Sequence, residues 1–280
     1  MYLEKAKKAG SSPRPPMITV VASPGAGKTS LAGVFPSPLF IQAESSEAVF
    51  EAWGEDVQPT VLPLLPKASR DGAGNVREST RDAIKAQLRE IATAEHGYQT
   101  LVIDSVTALS RLFEHELATR DGVPSVADAS GGFHKGFIEL AAWHNEIIFA
   151  CDVIRARKGM SIVFLAHTGV QKIKNRPDEG SEYTVFGLDM HKDSSAVYVS
   201  NSDVVCYIKK EEFITGQETN RKGQITKFGR AMQTGDRILI TSGDGKVGYV
   251  AAKTRYPMPV EIQLEQGANP LLQYIPFFNR

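Results

Sequence analysis

Short apolar runs that end in a single polar side chain recur along the chain. Ile18-Thr19-Val20-Val21 predicts a first strand over about 17–22. Leu39-Phe40-Ile41-Gln42-Ala43 predicts a second, ending at Glu44. Leu101-Val102-Ile103 ends at Asp104, and Ile162-Val163-Phe164-Leu165-Ala166 ends at His167. Such unalternating runs suit strands buried on both faces. Val61-Leu62 and Val204-Val205-Cys206-Tyr207-Ile208 predict two more strands. Helical spacing appears between them. A helix over about 28–34 is stopped by Pro36 and Pro38. A second follows the capping-box residues Ser79-Thr80-Arg81-Asp82 and carries Ile84, Leu88 and Ile91. A third carries Val106, Leu109, Leu112 and Phe113. A long one over about 134–157 carries Phe137, Leu140, Ile147, Ile148 and Ile154, with Gly159 beyond its end. Residues 69–76, 120–132 and 168–187 read as loops. Residues 211–235 read as a polar, basic excursion, and Ile238-Leu239-Ile240 with 247–251 as a hairpin around Ser242-Gly243-Asp244-Gly245. The alternation predicts an α/β fold: a mostly parallel, twisted sheet with helices on both faces and C-terminal antiparallel strands.

The organisation expected is a flexible basic arm over 1–16, a core over 17–265 and a tail over 266–280. The arm holds Lys5, Lys7, Lys8 and Arg14 before Pro15-Pro16. Lys+Arg and Asp+Glu are equal at 32 each, so any contact with nucleic acid must be a local patch. The only cysteines, Cys151 and Cys206, lie outside any ligand-spaced cluster. They predict buried thiols in a reducing compartment and no structural zinc. No apolar run approaches about 18 residues and no signal-peptide pattern is present, which predicts a cytoplasmic protein with no membrane partner.

The first strand leads into Ala22-Ser23-Pro24-Gly25-Ala26-Gly27-Lys28-Thr29, followed by Ser30. This fits G-x-x-x-x-G-K-[ST] except that Ala22 stands at the first glycine. In such a loop, successive backbone N–H groups face one concavity and hold phosphate oxygens. Ser23 through Ser30 are therefore the candidate nucleotide-binding residues. Lys28 reaches the outer phosphates, and the Thr29 hydroxyl ligates Mg²⁺.

Ligands in open α/β sheets sit outside the carboxyl ends of the strands. Asp104 is thus the expected second Mg²⁺ partner, directly or through water. Glu44 can serve as general base toward a water attacking the γ-phosphate. His167 can sense that phosphate at the root of the segment 168–187. Lys253 and Arg255 alternate on an extended segment and could reach one phosphate group, in this subunit or across an interface.

With these residues in place, the chain resembles the RecA-like ATPases. Phe40-Ile41-Gln42-Ala43-Glu44 resembles that family's second strand with its catalytic glutamate, and Leu101 to Leu109 its second phosphate-site motif. His167 falls where RecA carries a glutamine sensor. Lys253-x-Arg255 resembles the basic finger that acts on a neighbouring subunit's nucleotide. Within the class, the compact core resembles phage-type, Sak-like single-strand annealing ATPases. The resemblance implies an ATPase using ATP and Mg²⁺, assembled as a homo-oligomeric ring or filament in a bacterial or phage-infected cell. Its implied partners are single-stranded DNA and a single-strand-binding protein. Two segments should then face DNA: about 119–135, with Arg120, His134 and Lys135, and about 168–192, with Lys172, Lys174, Arg176, Tyr183, Phe186, His191 and Lys192. Cations there would meet phosphates and rings could stack on bases. A regulatory switch on protein partners and a DNA motor are the competing expectations.

Overall fold

The computed structural model describes residues 13–173, 183–216, 218–219, 225–227, 229–243 and 249–279. The apolar runs become strands β1 (Met17–Ala22), β2 (Pro38–Gln42), β3 (Thr60–Val61), β4 (Thr100–Asp104), β5 (Ser161–Ile173), β6 (Tyr183–Leu188), β7 (Val204–Thr215), β8 (Arg230–Ile240), β9 (Lys253–Thr254) and β10 (Glu261–Gln263). The helices are α1 (Lys28–Gly33), α2 (Thr80–Thr93), α3 (Val106–Asp121), α4 (Lys135–Lys158), α5 (Lys192–Asn201) and α6 (Leu271–Tyr274). Along the sheet the order is β10-β8-β7-β1-β5-β4-β2-β3, with β6 paired to β5 and β9 to β7. The six strands β3, β2, β4, β5, β1 and β7 run parallel. β8 and β10 add antiparallel to that edge.

Every residue of β1 is buried because helices cover both faces of the sheet. Met17 and Val21 join the core beneath α2, α3 and α4, with Phe113, Leu140 and Ile147. Ile18, Val20 and Ala22 join the opposite core, with Leu31, Phe35 and Leu271. The side chain of Ser79 accepts a hydrogen bond from the Asp82 N–H, so α2 is capped as its sequence predicts. Cys151 and Cys206 are buried free thiols. None of the described helices is long and apolar enough to cross a membrane.

The structure departs from the sequence reading in several places. Residues 168–173 and 183–187, expected as loop, are strand: β5 continues to Ile173 and pairs antiparallel with β6, from Thr168↔Leu188 to Ile173↔Tyr183, and residues 174–182 lie outside the described residues. Ile238–Ile240 pair with Tyr207–Lys209 of β7 and with β10, and Val250 bridges Phe186; residues 244–248 of the expected hairpin lie outside the described residues. The excursion 211–235 begins and ends as a β-ribbon, with Thr215 opposite Arg230. The C-terminal segment is anchored, since Leu271 and Ile275 are fully buried and Phe278 meets Phe35 edge-on at 5.7 Å. At the other end of the chain, Arg14 pairs with Asp152 at 2.7 Å and the Pro15 carbonyl accepts from Arg155. Residues 1–12 of the expected arm lie outside the described residues.

Candidate functional site

Parallel registry aligns the carboxyl ends of three strands. Ala22 pairs with His167, Asp104 with Leu165, and Gln42 with Asp104. The segments leaving β1, β4 and β2 therefore converge beside the middle of β5, which brings Lys28, Thr29, Asp104 and Glu44 to His167.

Ala22, where the pattern has glycine, is the last residue of β1 and is fully buried against the core. Its backbone is strand, so no glycine is needed there. The glycines that matter are Gly25 at φ 71° and Gly27 at φ 97°, conformations that a side chain disfavours. Lys28 and Thr29 are buried at the start of α1, whereas Ser23, Pro24 and Gly25 face solvent.

The Thr29 hydroxyl donates to Asp104 Oδ2 at 3.0 Å. The other oxygen, Asp104 Oδ1, is buried and has no hydrogen bond among the described residues. Burial raises the Asp104 carboxyl above its ordinary value, while the hydroxyls of Ser46 and Thr29 and the Lys28 ammonium pull the other way. A hydroxyl beside an unsatisfied carboxylate oxygen is a hard-oxygen pair suited to Mg²⁺, directly or through its water shell. A Mg²⁺ held there would neutralise phosphate charge.

His167 links the two other groups. Its Nδ1 lies 3.5 Å from Lys28 Nζ, and its Nε2 lies 3.0 Å from Glu44 Oε1. An ammonium only donates and a carboxylate only accepts. Both contacts are satisfied by a neutral ring carrying its proton on Nε2. The His167 backbone N–H donates to the Thr107 hydroxyl at 3.0 Å, which ties the middle of β5 to α3. The hydrogen bond from His167 is the largest influence on Glu44 and holds its carboxyl down to about 2, against opposing desolvation. Glu44 is therefore ionised at neutral pH, as a proton acceptor must be.

Residues 14–256 match the family model described as AAA domain. The chain belongs to that AAA domain family. No curated protein matches the chain. An AAA domain is a P-loop NTPase module, so the chain carries a nucleotide-binding ATPase domain.

The remaining candidate residues of this AAA domain lie elsewhere. Lys253 and Arg255 are not beside the loop. β9 pairs with the start of β7, Lys253 opposite Val205, whereas Ala22 pairs with Ile208, roughly 10 Å further along. Lys253 Nζ donates to the Ser200 carbonyl at 3.2 Å, and Arg255 pairs with Asp203 at 2.9 Å. Arg120 is engaged by Glu139 and Asp121, which raise its pKa further. Lys135, Lys172 and Lys192 are exposed, while Lys174 and Arg176 lie outside the described residues. The starts of α4 and α5 meet through a stack: Phe137 lies on His191 at 4.1 Å and on His134 at 5.9 Å.

Two residues at the loop escaped the sequence reading. Thr107 is the second residue of α3, a position with no chemical signature of its own. Arg237, on β8, packs its guanidinium against Gly27, so that a Cβ there would collide with Nη1. Only the register of β8 on β7, with Arg237 opposite Lys210, brings it to this edge.

Proposed function

We propose that this ATPase oligomerises, binds single-stranded DNA and uses ATP to promote annealing or recombination. The observation that carries this reading is the path Lys28–His167–Glu44, because His167 is also the root of the hairpin β5–β6. A γ-phosphate drawing Lys28 to itself, with an attacking water donating to Glu44, would compete for both ring contacts of His167. The hairpin would then register nucleotide state. Lys172 lies on that hairpin, and Phe186 is 43% exposed on its return strand. The stack of His134, Phe137 and His191 supports treating the two candidate DNA segments as one surface, with Lys135 and Lys192 exposed on it. Lys253 and Arg255, remote from their own loop, act in this reading on a neighbour's nucleotide.

Fluorescence anisotropy of a labelled single-stranded oligonucleotide, with and without ATP and Mg²⁺ at two salt concentrations, tests the proposal. ATP-dependent binding that weakens with salt is expected. Indifference to DNA would point to a switch acting on proteins, and strand displacement on a forked duplex would point to a motor.

A further inference from the structure

The Mg²⁺ pair and Glu44 define the outer-phosphate end of the loop. On the Gly27–Ser30 side, the loop borders a cleft. That cleft has a volume of about 310 Å³ and is lined by Gly27, Ser30, Val34, Trp53, Arg237 and Leu264. Trp53 and Leu264 give it an apolar wall, and Arg237 stands where it meets the loop.

Arg237 is half-buried, and its guanidinium makes no hydrogen bond or ion pair among the described residues. Glu265 also lines the cleft but is exposed and does not pair with it. Opposite Arg237 on β7 stands a second cation, Lys210. Like charges directly opposed on neighbouring strands are unfavourable unless something offsets them. Arginine is also the side chain whose planar fork suits phosphate oxygens. Its approach depends on Gly27, since any side chain there would displace it.

We infer that Arg237 binds the inner, α-phosphate of a nucleoside polyphosphate held in its own subunit's loop, at the mouth of a cleft that receives the nucleoside. The inference rests on the nucleotide-binding reading of the loop and adds a positioning residue from the antiparallel edge of the sheet. It separates two tasks: Lys28 grips the outer phosphates, and Arg237 distinguishes a nucleotide from bare pyrophosphate.

Calorimetric titration of the full chain with ADP and with inorganic pyrophosphate, both with Mg²⁺, tests it. Arg237→Gln should weaken ADP binding by about 10- to 100-fold, the range of a lost charge-assisted contact, and alter pyrophosphate binding less than about threefold. Arg237→Lys should recover part of the ADP affinity. Lys28→Ala should weaken both ligands. Thermal melts of each variant verify folding, and the lysine variant decides the matter if the glutamine variant melts early. Unchanged ADP affinity in Arg237→Gln, with binding still sensitive to Lys28→Ala, would overturn the Arg237 assignment alone. Equal weakening of ADP and pyrophosphate would overturn it too, since Arg237 would then merely support the loop. A wild-type chain that binds neither ligand would remove the phosphate-loop reading and the inference together.

Discussion

Glu44 Oε1 lies 3.0 Å from His167 Nε2, and the opposite ring nitrogen faces Lys28. The pair sets the charge state of the candidate base. The hydrogen bond from His167 favours the ionised carboxylate, so removing it must raise the Glu44 pKa from about 2 toward 4.5. His167→Ala should therefore give ATP turnover an acid limb near pH 4.5 that the wild type lacks. Rates measured from pH 4 to 8 for both proteins check this, and superimposable profiles would refute it. DNA stimulation of turnover should also be lost in the same variant.

Glu44→Gln keeps the shape of the side chain and removes the proton acceptor. Hydrolysis should fall by about 10²- to 10⁴-fold with Mg·ATP affinity retained. Asp104→Asn should instead raise the Mg²⁺ concentration needed for half-maximal turnover, because the unsatisfied Oδ1 belongs to the candidate metal pair. Single-turnover assays and Mg²⁺ titrations distinguish the two variants.

Much of this edge is readable in the sequence. A parallel strand covered on both faces is largely apolar, so the charged or titratable residue that closes its run marks the edge where ligands bind. That is why Glu44, Asp104 and His167 stand out. β6 and the part of β5 beyond His167 do not, because exposed Val170, Lys172, Thr184 and Phe186 interrupt the buried positions and leave no apolar run. α5 was equally illegible: its buried positions include Ser194 and Ser195, which give no apolar stripe. Arg237 is hidden for another reason. Its closeness to Gly27 depends on how β8 registers against β7, a relation between segments that no local pattern encodes.

Arg255 and Arg155 share the buried Asp203 carboxylate. Arg255 is 61% exposed, and Arg155 still pairs with Asp203 in its absence. Arg255→Ala should cost at most about 1 kcal/mol, whereas Arg155→Ala, which breaks a buried pair, should cost about 3–5 kcal/mol. Urea denaturation measures both. Lys253→Ala combined with Arg255→Ala should spare nucleotide binding and lower hydrolysis. Doping that double variant into wild type should depress turnover by more than simple dilution if the two cations serve a neighbour. Strictly proportional loss would argue against that role.

His144 is buried and shares a 2.7 Å hydrogen bond with Tyr198. Burial lowers its pKa from 6.5 to about 3. Between those values the unfolded chain binds the extra proton and the folded one does not, so stability must fall as the pH drops below about 6.5. The slope approaches about 1.4 kcal/mol per pH unit. Denaturation at pH 7.5, 6.5 and 5.5 should show it. The His144→Phe/Tyr198→Phe variant, which removes both polar partners, should lose this component of the slope.

The placement of Ala22 has a consequence for recognising other chains. Its backbone is the closing residue of a buried strand, so the first position of the phosphate-loop pattern here selects for small size, not for torsional freedom. A text search that insists on glycine at that position will pass over proteins built this way. One that asks for a buried small residue in register with the strand bearing the sensor will retain them.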